Sequence, residues 1–420
     1  MAKPDGGAAP LQVADAVARI VADVRALGTV TRPLLDACNS VLAVDAVAPV
    51  TLPPWNNSAM DGYAVRSADI VALPVTLRVI ESVAAGQFPT RVVGPGEATQ
   101  IMTGAPVPEG VDTVVRVEDT DGGTAAVEIR DARDAGKNVR PRGEDIVAGR
   151  VAIAAGTPLG AAQIGVLASL GFAEVEVVRA PRVAILTSGD ELVELDGFEQ
   201  VRAGKKIVSS NGYTLQALVR EAGAEPVYLG IAGDTPSAIR ALLEKARACD
   251  MIITSAGISV GEHDYMRRVL EEMGAEMKFW RVRMRPGAPI GFGLLDGRPW
   301  IGLPGNPVST MVTFELFARP AIHKMRGHTK LFRRPVTVVL DEPVTTNADL
   351  THFLRAVVTV RDGRITARLT GPQSSGILTS MSNANALLVV PAGRRNVAAG
   401  ETLHAMLIGD DAELAGDFAL

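Results

Sequence analysis

From Arg182 onward, short apolar runs alternate with stretches of helical character, and small-residue turns punctuate them. The runs are VAIL (183–186), VYLGI (227–231), MIIT (251–254) and WIGL (300–303). Between and after them the pattern predicts four helices: one near 212–222, one opened by Thr235-Pro236, one near 264–273 closed by Gly274, and a long one after Pro307. Apolar strands alternating with helices imply a parallel sheet covered on both faces.

Three of these strands run into glycine turns: LTSGDEL (186–192), TSAGISVGEHD (254–264) and LPGNPVS (303–309). An open parallel sheet binds ligands beyond the carboxyl ends of its strands. Glycine there lets a ligand approach the backbone, and exposed N–H groups favour an anion. The three turns therefore predict one phosphate-binding crevice built from Ser188, Gly189, Gly257, Ser259, Gly261, Pro304, Gly305 and Asn306. Neither the dinucleotide fingerprint nor the Walker P-loop is present, which turns the reading away from NAD and ordinary NTPase chemistry.

Asp190, Glu191, Asp234 and Asp264 stand beside these turns. A phosphate among carboxylates needs a cation between them, and hard oxygen donors suit Mg²⁺. The plainer account, acids favoured at helix starts, serves Glu262 better and competes at Asp234. In WRVRMRPG (280–287) a strand would put Arg281, Arg283 and Arg285 on one face, and arginine forks suit oxyanions. His263 and His352 read as ordinary polar residues.

The rest of the chain reads differently. Val13, Val17, Ile20, Val24 and Leu27 give residues 11–28 an amphipathic helical stripe. Residues 45–145 are rich in Val, Thr, Pro and Gly and form a β-rich domain inserted into the chain. A helix is expected at 158–170, capped by Thr157 with Pro158 in its first turn. Residues 335–408 return to β, with RDGR (361–364) as a hairpin turn. The fold class is thus α/β plus β, in four parts: a helical part (1–44 and 146–180), the inserted domain (45–145), the α/β domain (181–330) and a small C-terminal β domain, barrel-like, at 331–420.

A net charge of −5 over 420 residues argues against a chain-wide nucleic-acid surface. Two distant cysteines, Cys38 and Cys249, fit a reducing cytoplasm rather than a disulfide framework. No apolar run is long enough for a membrane span, and MAKPDGGAAPLQ lacks a signal-peptide core.

One loop stands apart. PPWNNSAMDGYAV (53–65) carries a single charge, Asp61, and one of three tryptophans. By itself MDG reads as a hairpin turn with Asp bonding locally.

In chain order, NNSAMDGYAV, IMTGAPVP, RPRGEDI, LTSGDEL, TSAGISVGEHDY, RPGAP, GLPGNPVST and GPQSSGILTSMSNANALLVVPAG resemble the blocks of the molybdopterin molybdenumtransferases of the MoeA type, to which the C-terminal domain of gephyrin is also similar. The resemblance spans about residues 10–408. It implies an elongated, four-domained homodimer that inserts molybdenum from molybdate into adenylylated molybdopterin and releases AMP with Mg²⁺. A molybdopterin adenylyltransferase is the implied partner, and the active site lies between the α/β domain of one subunit and the β-rich domain of the other.

By the same resemblance Asp61, Thr103, Asp145 and Glu191 are functional residues that position substrate or water. Trp55, Met60 and Tyr63 pack the surrounding interface. Asp234 and Asp264 take the metal side; Asp190 and the three turns hold pterin phosphate and adenylate; Arg285 and Arg355 attract molybdate.

Two departures matter. Where relatives often read KPGKP this chain has RPGAP, so Ala288 removes a cation. Ala256 replaces a frequent glycine, which is tolerable only if its φ is negative and the ligand leaves room. They leave open a divergent paralogue or a non-catalytic, molybdopterin-binding scaffold. A generic nucleotide pyrophosphatase would need only 182–325 and leaves the matching blocks of both β domains unexplained.

Overall fold

A computed structural model of the chain describes residues 9–256, 265–361 and 363–409. The chain forms two compact units: Pro33–Cys38 with Val44–Val175, and Met1–Arg32, Asn39–Ala43 and Glu176–Leu420.

The smaller unit is built on a five-stranded sheet. Its strands are β1 (Gly62–Val65), β2 (Val75–Val83), β3 (Glu97–Ile101), β4 (Thr113–Arg116) and β5 (Ala126–Ile129), in the order β4-β1-β3-β2-β5. All four residues of β1 are buried. Alternation sends Tyr63 and Val65 into one apolar cluster and Ala64 into another, which is why GYAV carries no polar side chain that needs water. Tyr63 is 0% exposed and its hydroxyl donates to the Gly123 carbonyl at 3.0 Å, so it belongs to this core and not to an interface. The helix expected at 158–170 runs Ala161–Ser169. Gln163 Oε1 accepts the Gly160 N–H at 3.1 Å and starts it, so Thr157 and Pro158 lie ahead of the helix rather than in its cap.

The larger unit holds the predicted parallel sheet. The strands β6 (Arg182–Ser188), β7 (Glu225–Ala232), β8 (Met251–Ser255), β9 (Glu276–Arg281), β10 (Pro289–Leu295) and β11 (Arg298–Leu303) lie in the order β7-β6-β8-β11-β10-β9. The first four in that order are parallel; β10 and β9 add an antiparallel edge that the apolar-run reading misses. Along β6, Val183 and Ile185 face one core, while Ala184 and Leu186 face another. Helices Val13–Asp23, Ser210–Glu221 and Pro307–Thr313 contribute to the first, and Pro236–Ala246 and Tyr265–Glu272 to the second. Thr235 caps Pro236–Ala246 as expected, accepting the Ala238 N–H at 3.3 Å.

The long helix after Pro307 contains a π segment, Phe314–Ala318, before continuing as Arg319–Met325. There the buried carboxylate of Glu315 is held by Arg319 at 2.8 Å and by Arg333 at 2.7 Å.

Five further strands close a barrel: β12 (Pro335–Leu340), β13 (Thr351–Arg361), β14 (Arg364–Leu369), β15 (Ala386–Val390) and β16 (Thr402–Leu407). The circuit β13-β14-β12-β16-β15 returns to β13, so no edge among these strands is left unpaired. β13 and β14 pair antiparallel up to Arg361↔Arg364, and Asp362 of the predicted RDGR turn lies outside the described residues. No helix among the described residues is long and apolar enough to cross a membrane.

Candidate functional site

The carboxyl ends of β6, β8 and β11 line one crevice of about 430 Å³, with Thr187, Ser188, Glu191, Ser255, Ala256, Gly305 and Asn306 in its wall. Glycine is required at 189: its φ is +146°, and a methyl there would lie 2.6 Å from the Glu191 carboxylate. The turn thus folds Glu191 back along its own backbone. Asp190 and Asp234 are exposed and clasp each other's loops. Asp190 Oδ1 accepts the Asp234 N–H at 3.1 Å, and Asp234 Oδ2 accepts the Asp190 N–H at 3.3 Å. Asp190 therefore braces the Asp234 loop. Gly257, Ser259, Gly261 and Asp264 lie outside the described residues.

Sequence reasoning missed Asn211, at the start of the helix Ser210–Glu221. Its Nδ2 donates to Ser255 Oγ at 2.9 Å and to the Gly305 carbonyl at 2.7 Å, tying two of the glycine turns together. Its Oδ1 is buried and has no protein partner. The signal was the small polar run SSNG after the two-residue strand Ile207–Val208. Ala256 sits at φ +75°, so the condition of a negative φ is not met. A left-handed alanine costs about 1 kcal/mol relative to glycine.

A second cavity, of about 910 Å³, lies against the barrel and is lined by Arg285, Gly287, Ala288, Asn306, His352, Arg355 and Ser374 among others. It shares Pro289, Pro304 and Asn306 with the crevice, so the two chambers have a common wall. Gly287 has φ +97°, and a methyl there would meet Thr313 Cγ2 at 2.4 Å. Arg355 is 0% exposed. Its Nε donates to Ser380 Oγ at 3.0 Å and its Nη2 to the Ser374 carbonyl at 3.0 Å, while Nη1 is buried with no protein partner. Burial lowers its pKa from the ordinary arginine value.

The three arginines of WRVRMRPG do not share one continuous strand. Arg281 ends β9, while Met284–Arg285 pairs with Thr351–His352 of β13. The alternation of exposed arginines with buried Val282 and Met284 nevertheless persists. Arg283 donates to the Asp349 carbonyl at 3.1 Å, and of the three only Arg285 lines the cavity.

In the smaller unit MDG is not a hairpin turn; Asp61 leads directly into β1. The glycine is set by sheet packing, because a Cβ on Gly62 would fall 1.9 Å from the Val115 carbonyl oxygen. Asp61 Oδ1 accepts both the backbone N–H and the hydroxyl of Thr103, each at 2.7 Å. These bonds hold the exposed carboxyl below the ordinary aspartate range. Asp145 is also exposed, with its N–H on the Leu52 carbonyl at 3.2 Å. Trp55 is 37% exposed and meets Phe88 edge-on at 4.8 Å. Among the described residues no group of three or more His, Cys, Asp or Glu is placed to hold a metal ion.

Three family models match successive stretches of the chain. "MoeA N-terminal region (domain I and II)" matches residues 11–171, "Probable molybdopterin binding domain" 184–324 and "MoeA C-terminal region (domain IV)" 337–408. A "Molybdopterin molybdenumtransferase" of Staphylococcus aureus (strain MSSA476) is 33% identical over 408 residues, 96% of this chain and 97% of that one. "Molybdopterin molybdenumtransferase 2" of Mycobacterium tuberculosis (strain H37Rv) is 38% identical over 397 residues, 92% of this chain and 97% of that one. The crystal structure of the molybdopterin biosynthesis moeA protein from Pyrococcus horikoshii OT3 matches with a TM-score of 0.83 at 28% identity, covering 95% of this chain and all of that one (100%). With its crevice, its barrel and its clasped Asp61 each falling inside a matched region, the chain belongs to the MoeA family of molybdopterin molybdenumtransferases, enzymes of molybdenum cofactor biosynthesis.

Proposed function

We propose that the chain inserts molybdenum from molybdate into adenylylated molybdopterin and releases AMP. The observation that carries this reading is a buried guanidinium with an unpartnered Nη1, in the wall of a cavity that shares lining residues with a glycine-turn crevice. A buried unpaired donor costs about 1–3 kcal/mol, which a bound oxyanion recovers. The crevice, with Ser188, Gly189, Pro304, Gly305 and Asn306, takes the pterin phosphate and the adenylate. Gly257, Ser259 and Gly261 belong to the same turns in sequence. The cavity takes molybdate through Arg285 and Arg355.

Phosphoanhydride cleavage is mostly positioning and charge stabilisation, so no strong protein nucleophile is required. Glu191, folded back at the crevice rim, orients substrate or water. Asp61, kept ionised by Thr103, and Asp145 do the same from a second copy of the chain, in a homodimer. The donor chemistry fits Mg²⁺, which takes one or two carboxylates and fills its shell with water and phosphate oxygens; Asp234 and Asp264 would hold it. Bound there, it would supply charge neutralisation at the pyrophosphate. A substrate that is already adenylylated requires an adenylyltransferase upstream, the partner this chemistry implies. The proposed site of action is the cytoplasm.

The test is molybdate-dependent AMP release from adenylylated molybdopterin by purified protein with Mg²⁺. Absence of release defeats the reading. Asp61→Ala and Glu191→Ala each abolish most turnover, and mixing the two variants restores about a quarter of wild-type activity if each site draws on two protomers of a symmetric dimer. No recovery on mixing removes the shared site. Ala288 favours a second reading, a pterin-binding scaffold without turnover. Tight pterin binding with no AMP release would select it.

A further inference from the structure

The cavity against the barrel meets a doubly negative oxyanion with two fixed cations and no third. Arg285 and Arg355 line it, but position 288 is alanine. One other lining residue can take a proton near neutrality: His352. It is 5% exposed and stands opposite Arg285 in the parallel register of Met284–Arg285 on β13.

Its surroundings serve both protonation states. Nε2 lies 3.2 Å from the Asn347 nitrogen and 3.1 Å from the Asn347 carbonyl oxygen. A neutral ring accepts at Nε2 from that N–H; an imidazolium donates from Nε2 to that carbonyl. The ring need not move when it gains a proton, so charge decides its state. Burial lowers its pKa from the ordinary histidine value, the hydrogen bond with Asn347 works against that, and Arg285 on the facing segment lowers it further. Arg355, three residues along the same strand, extends from its opposite face. Asp349, the one carboxylate on the 346–350 loop, is exposed. The 369–375 segment and the neighbouring strand β15 bring no charged residue of their own, but the Glu342 carboxylate accepts the N–H of the lining residue Leu369 at 2.8 Å. A dianion in the cavity reverses this balance.

We propose that His352 is the third oxyanion-binding group of the cavity, taking up a proton as a tetrahedral dianion binds beside Arg285 and Arg355. The inference rests on the reading of this cavity as the molybdate site. Proton uptake and anion binding are then linked, so affinity rises as pH falls, by at most about tenfold per pH unit for one proton.

The experiment is calorimetric titration of the full chain with molybdate between about pH 6.5 and about pH 8, in buffers of different ionisation enthalpy. Wild type is expected to take up a large fraction of one proton and to bind up to about tenfold tighter for each unit of acidification. His352→Gln, which keeps an amide for the Asn347 backbone, is expected to bind without proton uptake and without the pH slope. Ala288→Lys supplies a fixed cation; it is expected to tighten binding and to reduce uptake, a check that holds even if the glutamine variant fails to fold. Wild-type binding without proton uptake, or equal uptake in His352→Gln, overturns the role of His352 and leaves the cavity standing. No molybdate binding by wild type at any pH overturns both.

Discussion

The crevice and the cavity share a wall, yet they are built on opposite plans. The crevice is made of backbone and small residues: Ser188, Ser255, Ala256 and Gly305, with Asn211 pinning two turns from behind. The cavity depends on a guanidinium sunk into a scaffold of Ser374, Pro372 and Ser380 oxygens. A backbone-built site keeps its shape when a rim side chain is lost. A site built on a buried charge ties ligand recognition to folding, because removing the charge orphans its acceptors.

That contrast can be broken most sharply at Arg355. Arg355→Ala should destabilise the chain by about 3 kcal/mol in urea denaturation and abolish molybdate binding together. Loss of binding at unchanged stability would erase the distinction between the two plans. Asn211→Ala should cost about 2 kcal/mol and reduce turnover about tenfold or more, since two turns lose their common tether. If turnover holds, the turns keep their spacing without it. Ala256→Gly relieves a left-handed alanine and should stabilise the protein by about 1 kcal/mol in the same assay; a destabilised variant would mean that the methyl packs more favourably than its backbone is strained.

The smallest effect is expected in the smaller unit. Thr103→Val removes one of the two bonds to Asp61 and raises its pKa toward the ordinary value. The sign follows: a depressed carboxyl is ionised above its folded pKa and protonates as pH falls through it. The acid limb of the activity profile should therefore move to higher pH in the variant. An unmoved limb would detach Asp61 from the rate-determining ionisation.

Much of the larger unit is legible in the sequence because parallel strands buried on both faces are mostly apolar, and VAIL, MIIT and WIGL are such runs. The antiparallel edge β9-β10 is harder to read: GFGLL is glycine-broken, and Trp300 and Met277 crowd the positions where side chains at Gly291 and Gly293 would go. MDG misleads for a similar reason. Its glycine answers to a carbonyl on a strand more than fifty residues away, and no local rule sees that far. Glycine turns announce the crevice, whereas nothing local in HFLRA shows that Arg355 and His352 are buried.

The common wall of Pro289, Pro304 and Asn306 has an evolutionary consequence. Two prolines and one asparagine answer to two occupants at once, so drift that widens one compartment deforms the other. A lineage can retune either specificity only by compensating across the partition. Ala256, packed beside Gly305, and Ala288, next to Pro289, already depart from the common pattern close to that wall, so each change should be felt in both compartments.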